Sequence, residues 1–363
     1  MKKMNWVVQQ FIKIENLTDH LEKKDKQGNI RQRLLKIRAK KVILATGALE
    51  RPLIFNNNDR PGIMLSSAVK KYADFYGVVS GKKNVFFTNN DSAYESALCL
   101  HNKGIKVEAV IDIRENSGSN IVKAVNDAGI PIHWSHTIVD TKGYKRLNSI
   151  SAMKLSNDGS SVTGNKIDIV CDCLGVAGGW TPAVHLFTQS GGKLTFDETN
   201  KVFLPNKYPS EQISVGSCNG DFKIKEIINN LSINLKEFLN IEKTDFDNVT
   251  VESEDDNSKR NIWLLPSDKP LGKTKPFVDY QNDATAKDIK LALREGFRSI
   301  EHVKRYTTTG MGTDQGKIGN MHALGIIADT ADVKMGELGT TTFRPPYTPL
   351  TFGTIVGLSL IHI

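Results

Sequence analysis

Between Asn84 and Asp112 the chain reads as a strand, a helix and a second strand with few residues to spare. Asn84-Val85-Phe86-Phe87-Thr88 is a short apolar run, Asp91–Lys103 has helical spacing and closes on Gly104, and Val107–Ile111 is a second apolar run ending at Asp112. A helix inserted between two buried strands makes them parallel, with the helix packed on their sheet. The chain is therefore α/β, and further apolar runs extend the pattern. Val42-Ile43-Leu44-Ala45 is a buried strand stopped by Thr46-Gly47, after a half-exposed strand at 33–38. Ile130–Trp134, Ile150–Leu155, Ile167–Leu174 and Gln212–Val215 read as strands. Ser66–Tyr76, with Ser66 or Ser67 as its cap, Ser119–Ala128 and about Phe222–Phe238 read as helices.

A strand–loop–helix that cradles a pyrophosphate needs glycines for the turn, for close backbone approach and for helix–strand packing. The loop after 84–88 reads Asn89-Asn90-Asp91-Ser92-Ala93-Tyr94 and has none. Asp91 is placed to cap the helix, setting a carboxylate where a phosphate would sit, so this loop is expected to have lost cofactor binding. Asp112 then reads as a strand-end charge or turn former. Glycines do follow three other buried strands, in Ala45-Thr46-Gly47-Ala48, in Gly178-Gly179-Trp180-Thr181-Pro182 and in Gly216-Ser217-Cys218-Asn219-Gly220. Together they point to ligand loops along one edge of the sheet.

Composition excludes several classes. Four cysteines (Cys99, Cys171, Cys173, Cys218) form no C-x-x-C pair, so neither a zinc or iron–sulfur site nor a disulfide scaffold has a starting point, and a reduced, cytoplasmic setting fits. Residues 1–41 carry 12 Lys and Arg against 4 Asp and Glu, which accounts for the whole net charge of +8. Glu15, Asp19, Glu22 and Asp25 interleave with those cations, arguing for a solvated strand-and-turn region and against a nucleic-acid partner. No run of 18 apolar residues suits a membrane span, and the first residues lack the apolar core of a secretory signal.

Past Phe238 the chain changes character. Residues 241–275 include the acidic run Glu252-Ser253-Glu254-Asp255-Asp256 and read as a linker or surface excursion. A compact, mostly helical module follows at about 276–340, with apolar residues at helical spacing along Lys287–Tyr306; Arg344–Pro349 is extended. Gly357–Ile363 has neither a cap nor a closing element, and truncation is expected there.

The segments Lys41–Ala48, Glu50–Phe55, Asn58–Met64, Thr88–Tyr94, Pro276–Asp283, Arg294–Thr308 and Thr342–Pro349 resemble the alpha subunit of heterotetrameric sarcosine oxidase across about residues 28–357. The resemblance implies an incomplete two-dinucleotide-binding-domain flavoprotein fold followed by a small helical module. It divides the chain into the return segment of a truncated first dinucleotide-binding domain (1–54), a degenerate second one (55–165) and return elements of the first (166–240). The linker (241–275), a module resembling iron–sulfur domains without their cysteines (276–342) and the start of a truncated C-terminal domain (343–363) complete it. Asp314 stands near where such domains place a cysteine, so no cluster is expected.

The resemblance further implies an assembly with beta, gamma and delta subunits that oxidatively demethylates sarcosine to glycine, forming hydrogen peroxide and passing one carbon to tetrahydrofolate in the missing C-terminal domain. FAD belongs to the beta subunit, FMN to the alpha–beta interface and NAD to the alpha subunit. Carried onto this sequence, Thr46, Gly47, Gly216, Ser217, Asn219 and Gly220 become walls of the NAD pocket. Lys304, Arg305, Thr307 and Thr308 become the FMN phosphate contact, two cations and two hydroxyls at a helix end. No residue of the chain is assigned as catalytic, and the chain alone is expected to be inactive. Two other readings stand beside this one: a stand-alone pyridine-nucleotide-dependent flavin reductase, which needs a redox cysteine pair, and a non-catalytic docking subunit of an amino-acid dehydrogenase.

Overall fold

A computed structural model describes residues 7–16, 32–209, 211–251 and 259–345, with 348, 350 and 352. The acidic run at 252–258 and the 353–363 tail lie outside the described residues. The centre of the molecule is a five-stranded parallel sheet in the order Ile63–Leu65, Cys173–Ala177, Asn84–Thr88, Val107–Asp112, Ile132–Trp134. Successive side chains of a strand face opposite sides, and the two sides of this sheet are covered differently. Phe86 points into a cluster with Val69, Ala97, Leu100 and Val122 of the helices Ser66–Asp74, Ser92–Asn102 and Asn120–Asp127. Val85 and Phe87 point the other way, into Ile138, Leu147, Ile150 and Leu155 of a three-stranded antiparallel sheet. A side chain at Gly175 would stand 2.6 Å from the Phe86 ring, so glycine there is a packing requirement.

The α/β class holds, with two local revisions. The apolar run Ile167–Leu174 is divided between sheets: Val162–Val170 is a largely exposed strand of the antiparallel sheet, and only Cys173–Ala177 enters the parallel core. The Lys287–Tyr306 stretch is two helices, Ala286–Arg294 and Ile300–Thr307, separated at Gly296 with its φ of +97°.

The helical module packs its own core around Asn320–Ala331, whose residues 320–328 are all buried. Residues 259–265 tie this core to the sheets. Trp263 lies over Gly325, where an added Cβ would fall 2.1 Å from the indole, and Leu265 joins the core between the two sheets. The stretch read as a linker is thus firmly packed at its C-terminal end. Val42–Leu44 and Gln212–Ser214 form a separate two-stranded parallel pair.

Candidate functional site

The glycine-free loop after Asn84–Thr88 is sealed by the chain's own groups. Asn89, Asn90 and Asp91 are buried. Asp91 occupies the N-cap position without a side-chain cap bond, and the helix end is served from Asn90, whose Oδ1 accepts from the Ser92 amide at 2.9 Å and the Ser92 hydroxyl at 2.6 Å. Asp91, expected in that role, instead pairs with the Arg114 guanidinium at 2.8 Å. The difference is one of supply: a buried carboxylate needs a cation more than a helix end needs a carboxylate. Arg114 also grips Asp112 at 2.7 Å, and the Tyr94 hydroxyl donates to the same carboxylate at 2.8 Å. Tyr94 and Trp134 stack 6.1 Å apart beneath the guanidinium. Asp112, the strand-end acid, is therefore the anchor of a closed ionic network. Arg260 completes the seal: Asn89 exchanges backbone and side-chain bonds with its main chain, and its guanidinium donates to the carbonyls of Ile113 at 2.8 Å and Ser156 at 3.0 Å.

The paired strands Val42–Leu44 and Gln212–Ser214 end differently. Their C-terminal loops come together, with the Val215 amide donating to the Leu44 carbonyl at 2.9 Å and the Cys218 thiol to the same oxygen at 3.3 Å. Thr46 donates its hydroxyl to the Ala183 carbonyl, and Ala45, Thr46 and Ile43 are exposed. Gly47 and Gly216 take φ of +69° and +72°; a Cβ on Gly47 would meet nothing within 4 Å, and one on Gly216 only Ile227 at 3.8 Å. Asn219 accepts from the Tyr208 hydroxyl at 2.9 Å. Beyond Gly220, Asp221 accepts from Asn230 through one oxygen while the other is buried without a partner, and burial raises its carboxyl. Thr46, Gly47, Gly216, Ser217, Asn219 and Gly220 thus share one open edge. The third glycine loop joins them through its far end, where Trp180–Pro182 pairs with Ala48–Glu50 and the Ala183 amide donates to the Gly47 carbonyl at 2.9 Å. Gly178 itself lies on the main chain of Arg51 and Pro52, where a Cβ would come within 2.2 Å of the Pro52 carbonyl, and serves packing.

At the end of Ile300–Thr307 the four expected residues are not equivalent. Lys304 enters no ion pair among the described residues, whereas Arg305 reaches back to Glu301 at 3.4 Å. The Thr307 hydroxyl is buried, bonded to the Val303 carbonyl at 2.8 Å and to Thr309 at 2.7 Å. Thr308 forms the left-handed helix end with φ of +61°. Lys304 has freedom to meet an anion; Arg305 is held to Glu301 at its carboxylate and its main-chain carbonyl, and Thr307 has its hydroxyl committed inward.

Residues 273–357 match the sarcosine oxidase A3 domain family. Over 346 residues the chain is 37% identical to sarcosine oxidase subunit alpha of Rhizobium meliloti (strain 1021), covering 91% of this chain and 32% of that one. Over 358 residues it is 36% identical to the subunit alpha of Corynebacterium sp. (strain P-1), covering 95% and 36%. The chain is a homologue of sarcosine oxidase alpha subunits. It spans about a third of the length of these alpha subunits. L-proline dehydrogenase from P. horikoshii shares the fold, with a TM-score of 0.63 at 20% identity over 89% of this chain and 60% of that one. The alpha-subunit similarity runs through sealed loop, open edge and helical module alike. Sequence reasoning missed the residues that close the loop. Arg114, two places after a strand-end Asp, carried a usable signal; Arg260, 148 residues after Asp112 in the chain, carried none.

Proposed function

We propose that the chain serves as a non-catalytic, cofactor-holding portion of a flavin-dependent sarcosine oxidase alpha subunit. The observation that carries this reading is the continuous similarity to alpha subunits across both the α/β part and the helical module. The full assembly would demethylate sarcosine to glycine with beta, gamma and delta partners, forming peroxide and transferring one carbon to tetrahydrofolate.

The open edge fits NAD: Gly47 and Gly216 leave space for close approach, while Gly220 packs on Leu204, and the unpartnered Asp221 oxygen is a buried acceptor awaiting a donor such as a ribose hydroxyl. Lys304 and Arg305 fit the phosphate of an FMN shared with the beta subunit, with the exposed Thr308 beside them. Flavin chemistry, when the group is bound, supplies the electron transfer; this chain's residues hold its anionic end and shield it.

A stand-alone disulfide-type reductase is disfavoured by Cys171 and Cys173, which are buried, with both thiols pushed up to about 12 by burial. The deciding experiment is co-expression with partner subunits, measuring bound FMN and sarcosine-dependent peroxide. Wild type should hold FMN and turn over, Lys304→Ala/Arg305→Ala should lose FMN, and the chain alone should produce no peroxide. Turnover by the isolated chain would overturn the reading; unchanged FMN in the double variant would remove the phosphate site.

A further inference from the structure

A run of exposed apolar side chains lies where the helix Ser66–Asp74 ends. Tyr72, Phe75, Tyr76, Val78 and Val79, five large apolar side chains within eight residues, are each between 44% and 77% exposed. Scattered apolar residues on a surface are ordinary, but a contiguous aromatic group is a mark of an interaction site. These rings are also organised before any partner arrives. Phe75 and Tyr76 pack edge to face with centroids 4.9 Å apart, and Tyr72 lies 5.8 Å from Tyr76.

The backbone beneath them is fixed at both ends. The Phe75 amide donates to the Lys71 carbonyl at 3.0 Å, and the Val78 amide reaches the Tyr72 carbonyl at 2.8 Å across Gly77, whose φ is +64°. Gly81 then sits so close to Cys173 that a Cβ would fall 2.5 Å from its side chain. A rigid display of this kind loses little conformational entropy on binding.

The rim is cationic. Lys71, Lys82 and Lys83 are exposed and form no ion pair among the described residues, while the nearby carboxylates are occupied. Asp74 pairs with Lys103 at 3.0 Å, Glu95 with Lys70 at 3.3 Å, and Asp172 accepts from the Lys82 and Lys83 amides and faces Arg146. Two copies meeting through this face would set lysines against lysines, so a second copy is the wrong occupant. The right one offers an apolar pocket with a carboxylate rim.

We propose that Tyr72–Val79 is a docking surface for a companion protein subunit, with Phe75 and Tyr76 inserted in an apolar pocket and Lys71, Lys82 and Lys83 facing its acidic rim. The proposal rests on the reading of this chain as part of a multi-subunit enzyme. Aromatic anchors at the centre of an interface dominate its affinity, with rim charges setting encounter rate and salt dependence.

The test uses the full-length alpha subunit co-expressed with its companions, followed by native mass spectrometry on dilution. Phe75→Ser/Tyr76→Ser should weaken one subunit contact about a hundredfold or more. Because both side chains are exposed, the thermal midpoint of the variant alone should stay at the wild-type value. Lys71→Glu/Lys82→Glu/Lys83→Glu should slow association and reverse its salt dependence, since added salt then screens a repulsion. p-Benzoylphenylalanine at position 75 should cross-link to a companion subunit. A wild-type assembly that the aromatic variant leaves intact overturns the docking surface alone, whereas a wild-type chain that binds no companion overturns the subunit reading and this surface together. Cross-links only to a second copy or to distant parts of the same chain, or anionic vesicle binding lost in the aromatic variant, would also overturn it.

Discussion

Two regions of this molecule follow parallel strands, fully buried in one and half-exposed in the other, and they have diverged to opposite ends. After Asn84–Thr88 every polar group is turned inward, and Arg114 stands between Asp91 and Asp112 where an anionic ligand would need room. After Val42–Leu44 and Gln212–Ser214 the backbone is glycine-rich, the surface is exposed and an Asp221 oxygen is left without a partner. Glycine content alone does not separate them, since Gly178 and Gly179 only pack on Arg51 and Pro52. What separates them is whether the chain itself supplies the counter-charge. A loop whose buried carboxylates share an internal arginine is part of the core, and its stability depends on that ion network.

The strongest way to break the contrast is to remove the plug. Arg114→Ala leaves Asp112 and Asp91 buried without their cation, and should cost about 3–5 kcal/mol in urea unfolding. Arg114→Leu combined with Asp112→Leu removes both members of one of the two ion pairs and should recover part of that loss, because a well-packed apolar pair can replace a buried ion pair while Asp91 still lacks its cation. Equal destabilisation by the single and double variants would mean that packing of the long Arg114 stem, and not charge, holds the loop.

A second effect ties the two regions together. Glu50 leaves the open edge through the strand Ala48–Glu50 and accepts from the Ser67 amide at 2.9 Å and its hydroxyl, serving as the N-terminal cap of Ser66–Asp74. The cap was expected from Ser66 or Ser67 itself, but the acceptor comes from a distant strand. Burial pushes the Glu50 carboxyl up to about 7, against the pull of the two bonds from Ser67. A carboxyl raised on folding binds its proton more tightly in the folded state. Its contribution is therefore fully present below the unfolded value near 4.5 and is lost as pH rises through about 7. Wild type should lose up to about 3 kcal/mol across that window relative to Glu50→Gln. Parallel pH profiles for the two proteins would show that Glu50 keeps its ordinary affinity for protons.

The difference between the regions was half visible in the sequence. The missing glycines at 89–91 were enough to predict that a pyrophosphate would not be cradled there, because that requirement is local. Helix positions and the buried run Asn84–Thr88 were legible for the same reason: periodicity of two or of 3.6 is written in consecutive residues. The Arg260 part of the seal was not, since Arg260 reaches Ile113 and Ser156 from more than a hundred residues away. Nor was the division of Ile167–Leu174, where apolar content gave no hint that Val170 would be exposed at the edge of one sheet while Cys173 entered another. At the open edge the sequence placed Thr46, Gly47 and Gly216–Gly220 separately; only the pairing of their strands brought them together.

The smallest effect is the most direct comparison of the two loops. In the full assembly, Gly47→Val forces a β-branched residue into a left-handed conformation at about 1–2 kcal/mol and fills the open space beside the backbone. Dinucleotide affinity should fall about tenfold, or 1.4 kcal/mol, as read by equilibrium dialysis with NAD. Gly216→Val should do the same from the other wall. Asn90→Ala removes the acceptor that serves the first turn of Ser92–Asn102 and should lower stability by about 1 kcal/mol while leaving dinucleotide affinity unchanged, since the polar groups of this loop are committed within the chain. If Asn90→Ala weakened binding and the glycine variants did not, the roles of the two loops would have to be exchanged, and Arg114 would be a displaceable gate.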